Sequence, residues 1–204
     1  MKVKKIGFFG GSFDPIHNGH IHLALSLLEK QQLDQVLFCP AFLSPFKLDS
    51  HPHVQSHHRL AMTKLAIASL PFFSVIPSEI EKESVSYTID TVKGLIDQLS
   101  LTDRNFAIHL LLGEDMLKNL SKWKEVDKLL SLAPPFIASR SSALTIDPKL
   151  SKISRDLIFQ GFTRTSLLDI SSTDIRCRLK KNQYCGHLIP SQVLEYIHLN
   201  RLYL

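Results

Sequence analysis

The most constraining feature of this 204-residue sequence is the segment from Phe106 to Leu112, which is a nearly unbroken apolar run. Runs of this kind are typical of strands that are buried on both faces of a parallel sheet. Val3 to Phe9 and Asp34 to Cys39 have the same character, and glycine or proline closes each of them. Apolar residues at helical spacing lie between these strands. We therefore predict an α/β fold, with a single Rossmann-like doubly wound domain, a mostly parallel sheet and helices on both faces.

The remaining helices and strands are predicted from the same helical spacing and apolar runs. Amphipathic patterns predict helices after Gly19 and over His58–Leu70, Thr88–Leu99, Asp115–Leu120, Glu125–Leu132, Ser172–Lys181 and Ser191–Asn200. Short apolar runs predict further strands at Phe72–Ile76, Phe136–Ala138 and Leu157–Phe159. The chain between residues 139 and 155 is polar and is predicted to be irregular. No linker or repeat interrupts the pattern, so we expect one domain over residues 1–204, with a helical part from about 171 to 204 packed on it.

Composition excludes several classes of protein. An apolar fraction of 44% and a charged fraction of 21% are those of a globular protein, and no apolar run approaches the roughly 20 residues that span a bilayer. The basic start precedes only about four apolar residues, too few for a secretory signal. Three cysteines without C-x-x-C spacing indicate neither a disulfide framework nor a zinc site. We expect a soluble cytoplasmic protein without a membrane partner.

The charge and the histidines set further limits on partners. A formal charge of +5 suits a phosphate-rich ligand but falls short of the dense basic stripe of a nucleic-acid binder, so no nucleic-acid partner is expected. Histidines cluster at positions 51, 53, 57 and 58, but no carboxylate or cysteine completes a metal-binding pattern, so we predict a solvated loop and no protein metal site. The sequence leaves the oligomeric state open.

The most informative segment for function joins the first strand to the first helix, and it runs Gly-Gly-Ser-Phe-Asp-Pro-Ile-His-Asn-Gly-His from Gly10 to His20. Its glycines can adopt backbone conformations closed to other residues and let N–H groups approach an anion. The start of the helix adds unpaired N–H groups and a favourable dipole. His17 and His20 are three residues apart, so they would project to one side of the first turn and donate hydrogen bonds to phosphate oxygens. The common phosphate-loop and dinucleotide motifs are absent.

A second candidate anion site begins at Ile170 and reads Ile-Ser-Ser-Thr-Asp-Ile-Arg. Ser171 or Ser172 is a good N-cap for the helix that follows, and Arg176 stays close to the helix start. Hydroxyl groups and a guanidinium at a helix N-terminus favour an anion. Taken alone, the segment is better interpreted as an ordinary capped helix.

Together these two segments resemble the nucleotidyltransferases related to class I aminoacyl-tRNA synthetases, whose hallmark is an H-x-G-H or T-x-G-H turn with an I-S-S-T-x-I-R element. The resemblance implies that both elements hold the phosphates of ATP and that no covalent enzyme intermediate forms. The ATP-binding residues that it implies are Gly10, Gly11, Ser12, Phe13, His17, Gly19, His20, Ser171, Ser172, Thr173 and Arg176. The catalytic residues that it implies are His17, His20, Lys47 and Arg176.

Motifs in the middle of the chain narrow the choice of acceptor substrate. Several short segments there resemble bacterial nicotinate-nucleotide adenylyltransferases. They are Pro-Phe-Lys at 45–47, His-Arg-Leu-Ala-Met at 58–62, Ser-Tyr-Thr-Ile-Asp-Thr at 86–91, and Gly-Glu-Asp at 113–115 with Trp123. The likeness is weakest over 141–162, a stretch whose role the sequence leaves open. It implies an acceptor site of Lys47, Tyr87, Thr88, Asp115 and Trp123, with Trp123 stacked on the pyridine ring. Thr88 could equally be the cap of a helix. Phe46 stands where the family usually has histidine, and its effect is left open.

The reaction implied by this resemblance is transfer of AMP from ATP to nicotinate mononucleotide, which gives nicotinate adenine dinucleotide and pyrophosphate in NAD biosynthesis. Mg²⁺ would travel with ATP, because substrate phosphates are its usual ligands. The sequence leaves open whether His17 or His20 is a general acid, and how strongly nicotinate is preferred to nicotinamide. Two alternatives remain: transfer to nicotinamide mononucleotide or phosphopantetheine, and a non-catalytic nucleotide-binding regulator.

Overall fold

The computed structural model describes residues 2–47, 51–102, 105–141, 144–166 and 168–204. The described strands are β1 (Lys4–Gly11), β2 (Gln35–Pro40), β3 (Phe73–Val75), β4 (Phe106–Gly113), β5 (Phe136–Ser139) and β6 (Phe162–Arg164). They form one sheet in the order β3-β2-β1-β4-β5-β6. β1 pairs in parallel with β4, with Lys4 opposite Phe106 and Phe8 opposite Leu110, and β4–β5 and β5–β6 are parallel as well. The predicted α/β fold with a parallel sheet is confirmed.

Helices connect the strands, as expected for parallel neighbours. They are α1 (Asn18–Lys30), α2 (Ser56–Ile67), α3 (Ser78–Glu81), α4 (Thr88–Ser100), α5 (Val126–Leu132), α6 (Lys152–Gln160), α7 (Ser172–Lys180) and α8 (Ser191–Leu199). Short 3-10 helices cover Pro45–Lys47 and Glu114–Lys122. Among the described helices, none has both the length and the apolar character to cross a membrane. The strand order changes direction beside β1, and folds of this type bind ligands at the carboxyl end of a strand in that position.

The chain groups into two compact units, and the first comprises Met1–Phe9, Leu23–Leu37 and Tyr87–Leu167. Its core is built from alternate or successive apolar residues of strands and from one apolar stripe on each helix. The fully buried positions include Ile6, Phe8, Ala24, Leu27, Val92, Leu110, Leu111, Leu129, Ile137 and Ile158.

The second unit comprises Gly10–His22, Phe38–Ser86 and Leu168–Leu204. Its core includes Phe13, Ile16, Phe38, Met62, Ile175, Val193 and Ile197, each no more than 2% exposed. Helices α2 and α8 pack against each other in this unit. The unit therefore packs the glycine-rich loop, α7 and the segment after α8 around one core.

The strand predicted at Leu157–Phe159 is wrong, because these residues belong to α6. Three successive apolar residues fit either element, and here the flanking sequence decides. The Ser151 side chain accepts a hydrogen bond from the Ser154 N–H and caps a helix. Ile158 is buried while Phe159 is 59% exposed, as expected on a helix with one inner face. The strand lies further along, at Phe162–Arg164, and α6 occupies the end of the stretch predicted to be irregular.

Candidate active site

The loop between β1 and α1 is largely buried. Phe13, Asp14, Ile16 and His17 are each at most 5% exposed, and Phe13 takes a left-handed backbone conformation with φ of 46°. None of the described glycines has a positive φ, so the conformational freedom predicted for the glycine pair is not used. Gly11 is needed for space instead, because a Cβ there would lie 3.0 Å from the Phe13 ring.

The two predicted histidines lie together at the start of α1. The helix begins at Asn18, so His17 is just outside it and His20 is the third helical residue. The His17 N–H donates to Nδ1 of His20 at 3.2 Å, which is one of the two hydrogen bonds of a capping box. The two rings stack with centroids 3.6 Å apart and planes inclined by 24°. Because Nδ1 of His20 accepts a hydrogen bond, the proton of its neutral ring is on Nε2, which makes that atom a donor.

Burial keeps both rings neutral. It lowers the pKa of His17 from 6.5 to about 4. Burial and the neighbouring His17 hold the pKa of His20 well below its ordinary value. Nδ1 of His17 is buried and has no hydrogen-bond partner within the described part of the chain. At neutral pH the pair can therefore offer neutral N–H groups to an anion.

Gly19 lies between the two histidines, at a position with little room for a side chain. A Cβ at this position would lie 3.0 Å from Nδ1 and 3.1 Å from Cε1 of the His17 ring. These distances are shorter than ordinary van der Waals contacts, so any side chain at position 19 would displace the ring. Gly19 thus lets His17 fold back against the helix start.

The second predicted anion element contacts this loop. The Ser172 hydroxyl donates to the Pro15 carbonyl at 2.9 Å, and Nη1 of Arg176 donates to the Asp14 carbonyl at 2.7 Å. Nη2 of Arg176 also donates to Oγ1 of Thr173 at 3.1 Å. Two segments that are more than 150 residues apart in sequence therefore meet in the second unit.

Ser171, rather than Ser172, is the N-cap of α7. Its hydroxyl oxygen accepts a hydrogen bond from the Asp174 N–H at 3.1 Å. Ser172 is the first helical residue, and its hydroxyl is directed to the glycine-rich loop. The two serines therefore have different roles, one in capping the helix and one in docking it.

The buried Arg59 supports the loop, a role that the sequence motifs did not reveal. This side chain is 1% exposed and donates to three backbone carbonyls: Ser12 at 2.7 Å, Ala41 at 2.5 Å and Phe42 at 2.8 Å. It thereby ties the glycine-rich loop to the chain that follows β2. The helical spacing of the sequence could have indicated that Arg59 is buried. Arg59 shares the inward face of α2 with Met62, Thr63 and Ala66.

Asp14 is a second support, and it lies within the motif although no role was predicted for it. Its side chain is 4% exposed, and its two oxygens accept hydrogen bonds from different parts of the unit. Oδ1 accepts from the Tyr203 hydroxyl at 2.7 Å, and Oδ2 accepts from the His53 N–H at 2.8 Å. Such long-range partners leave no local pattern in the sequence.

A cavity of about 390 Å³ lies beside these supports and is bordered by Phe42, Leu43, residues 51–57 and Arg59. Phe46 is 49% exposed in the preceding 3-10 helix. The backbone of Lys47 ends that helix, and its side chain lies outside the described part of the structure. Across the described ranges, no group of three or more His, Cys, Asp or Glu side chains is placed to hold a metal ion.

Of the predicted acceptor residues, Tyr87, Thr88, Asp115 and Trp123 belong to the first unit, whereas Lys47 belongs to the second. Tyr87 precedes α4 and Thr88 is its first residue, so the alternative of Thr88 as the helix cap is wrong. Nζ of Lys124 lies 4.7 Å from the Tyr87 ring centroid and donates to Asp90 at 2.8 Å. Lys124 follows Trp123 directly, so the chain carrying Trp123 lies next to Tyr87.

Asp115 is the second residue of the 3-10 helix that follows β4, and Trp123 comes directly after this helix. Trp123 is half-buried, and its indole Nε1 is buried without a hydrogen-bond partner among the described residues. Asp115 is exposed at the start of this helix, and its Oδ1 would lie 2.6 Å from a Cβ at Gly113. Gly113 thus makes room for the Asp115 carboxylate.

The parallel sheet and the contact between the two predicted anion elements are the features expected of a nucleotidyltransferase. The sequence matches the cytidylyltransferase-like family over residues 8–178. Nicotinate-nucleotide adenylyltransferase from Bacillus subtilis is 37% identical over 201 residues, which cover 98% of this chain and 99% of the relative. A probable nicotinate-nucleotide adenylyltransferase from Clostridium beijerinckii is 36% identical over 207 residues, or 98% and 100% of the two chains.

A solved structure gives the same fold. Plasmodium falciparum nicotinic acid mononucleotide adenylyltransferase complexed with NaAD superimposes with a TM-score of 0.69 at 21% identity, covering 98% of this chain and 97% of that one. The chain therefore belongs to the cytidylyltransferase-like family and, by its full-length relatives, to the nicotinate-nucleotide adenylyltransferases.

Proposed function

We propose that this chain transfers AMP from ATP to nicotinate mononucleotide, giving nicotinate adenine dinucleotide and pyrophosphate, and that it does so in the cytoplasm as a step of NAD biosynthesis. The names of its full-length relatives support this acceptor. The observation that carries the proposal is the contact of Ser172 and Arg176 with the loop that bears the histidine pair. This contact supports the proposal of one anion site that uses two helix N-termini, a guanidinium and two imidazoles.

In the proposed reaction the 5′-phosphate of the acceptor attacks the α-phosphorus of ATP in line. A new O–P bond forms, the bond to the leaving pyrophosphate breaks, and the protein mainly positions reactants and stabilises charge. Arg176 and Lys47 supply fixed positive charge. Ser12, Phe13, Ser171, Thr173, Gly19 and the backbone of Gly10 and Gly11 complete the ATP site.

The histidines act in this proposal as neutral hydrogen-bond donors to phosphate oxygens. With a pKa of about 4, His17 carries a proton on roughly one molecule in a thousand at pH 7. The pKa of His20 is lowered as well. Neither ring is therefore charged to act as a general acid before ATP binds. Their contribution is to stabilise the charge that grows on the phosphates during transfer.

Nucleotidyl transfer from ATP generally uses a divalent metal ion, and we propose Mg²⁺ bound to the triphosphate. The Asp14 carboxylate within the loop is buried and already accepts hydrogen bonds from Tyr203 and His53. The residues present thus fit a metal that is held by substrate oxygens. When bound, the ion would neutralise part of the triphosphate charge.

The acceptor site is proposed at Lys47, Tyr87, Thr88, Asp115 and Trp123. A nicotinate ring presents a flat face, and Trp123 offers the largest aromatic surface in the sequence. No nucleic-acid partner is proposed, in line with the mild net charge.

An acceptor panel tests the proposed function. Pyrophosphate release from ATP and Mg²⁺ is measured with nicotinate mononucleotide, nicotinamide mononucleotide and phosphopantetheine in turn. We expect the highest kcat/KM with nicotinate mononucleotide. A higher kcat/KM with either other acceptor would reassign the substrate, and ATP binding without pyrophosphate release from any acceptor would indicate a regulator.

Two substitutions at position 20 test the role of the histidine pair. His20→Asn retains an acceptor for the His17 N–H but loses the Nε2 donor, whereas His20→Ala loses both. We expect kcat to fall about 10²- to 10³-fold in both variants, the usual effect of losing one donor to a developing charge. The exposed His198 on α8 provides the control, His198→Asn. Normal turnover in His20→Asn would refute the proposed role.

A further inference from the structure

Tyr203, which follows α8, is held in the interior of the second unit. Its side chain is 8% exposed, and its hydroxyl donates to Oδ1 of Asp14 at 2.7 Å in a buried contact. Burial and the negative charge of Asp14 raise the pKa of Tyr203, so the hydroxyl keeps its proton and remains a donor. The hydrogen bond thus joins the segment after α8 to the middle of the glycine-rich loop.

The chain reaches this contact through unfavourable backbone conformations. Arg201 has a φ of 51° and Tyr203 a φ of 62°, both in the left-handed region that residues with a Cβ seldom adopt. Between them, the Leu202 N–H donates to the Ile197 carbonyl at 3.0 Å, and Leu202 is itself buried. Conformations of this kind persist where the surrounding structure holds them, and they are frequent beside functional sites.

Asp14 transmits the contact to the phosphate-binding loop. It lies three residues before His17, and its backbone carbonyl accepts the hydrogen bond from Arg176. Its Oδ2 accepts from the His53 N–H, so Tyr203 supplies the partner for the other oxygen. Loss of the hydroxyl would leave a buried carboxylate oxygen short of a donor, and the loop around Asp14 could then shift to regain one.

We propose that Tyr203 is a positioning residue for the proposed adenylyl transfer: through Asp14 it fixes the loop that carries His17 and that accepts the hydrogen bond from Arg176, the two groups proposed to bind the phosphates of ATP. Groups that stabilise a transition state must be held to within a fraction of an ångström, and that precision depends on the side chains behind them. Tyr203 touches no reacting atom. The inference rests on the proposed function, because the phosphate-binding loop is assigned there.

The test compares two substitutions that each remove one tyrosine hydroxyl. Tyr203→Phe retains the buried ring and loses the hydrogen bond to Asp14. The matched control is Tyr196→Phe on α8, whose hydroxyl pairs with Nδ1 of His58 at 2.9 Å. For Tyr203→Phe we expect kcat to fall about tenfold and the Kd for ATP to rise several-fold, with the KM for nicotinate mononucleotide unchanged. Tyr196→Phe should stay within about twofold of wild type in all three.

A second measurement does not depend on turnover. Amide hydrogen exchange over residues 12–17 is expected to be faster in Tyr203→Phe than in wild type or Tyr196→Phe, both with and without ATP. If wild type releases no pyrophosphate with any acceptor, the proposed function fails, while ATP affinity and amide exchange still decide the role of Tyr203. The inference would be overturned if Tyr203→Phe had the same amide exchange rates and the same ATP affinity as wild type. Equal losses of kcat in Tyr203→Phe and Tyr196→Phe would also overturn it. If Tyr203→Phe unfolds at the assay temperature, the comparison is made in the cold with sucrose, which stabilises the folded state.

Discussion

The neutral state of the buried His17 makes the stability of the protein depend on pH. In the folded protein its pKa is lowered from 6.5 to about 4 by burial. Between these two pH values the unfolded chain binds a proton at this position that the folded chain does not. Stability from this group is therefore fully present above pH 6.5 and is lost as the pH falls towards 4. We predict that His17→Gln, which cannot titrate, removes this part of the acid sensitivity.

The magnitude follows from the two pKa values. At pH 5 His17 is about 97% protonated in the unfolded chain and about 10% protonated in the folded protein. The resulting loss in the free energy of unfolding between pH 7 and pH 5 is about 2 kcal/mol. The pKa of His20 is also lowered, so His20 adds to the dependence of the free energy of unfolding on pH in wild type. His20 is still present in His17→Gln.

The assay is urea denaturation of wild type and His17→Gln at pH 7, 6 and 5, with the free energy of unfolding extrapolated to water. The comparison concerns slopes with pH, because the substitution also changes stability at pH 7 by altering the stack with His20. We expect the drop from pH 7 to pH 5 to be about 2 kcal/mol smaller in His17→Gln than in wild type. His198→Gln, at an exposed position, should retain the wild-type slope. Equal slopes in His17→Gln and wild type would show that the folded protein does not exclude the proton from His17.

Gly19→Ala should lower kcat at least tenfold without lowering Tm, because the new Cβ displaces the His17 ring while alanine favours the helix. Unchanged kcat, measured by pyrophosphate release, would show that the ring position tolerates the contact. Trp123→Ala should raise the KM for nicotinate mononucleotide about tenfold or more and leave the KM for ATP unchanged, with Trp123→Phe in between. Steady-state kinetics with each substrate varied in turn provide the check, and an equal rise in both KM values would argue against stacking on the pyridine ring.

The local features of the site were predictable because each depends on residues that are neighbours in sequence. Buried strands such as Phe106–Leu112 are recognisable by their continuous apolar runs, and the sheet follows from their alternation with helices. The glycine-rich loop and the cap of α7 depend on residue types within a few positions. The motifs at Gly10–His20 and Ile170–Arg176 therefore predict phosphate binding when they are taken together, as the family resemblance implies.

Short apolar runs were ambiguous. Leu157–Phe159 is compatible with a strand or a helix, and the Ser151 cap together with burial of Ile158 selects the helix. The conformational reason given for the glycine pair was also wrong, because Gly11 serves to make room for the Phe13 ring. In both cases packing, rather than propensity, made the choice.

The supports of the loop and the protonation state of its histidines depend on tertiary contacts. The three carbonyls held by Arg59 and the link from Tyr203 to Asp14 join residues that are distant in sequence, so no spacing encodes them. The lowered pKa of His17 depends on burial, which is a property of the packed chain. Residue types and their spacing establish which chemical groups are available, while the fold establishes where they are held and whether they carry charge.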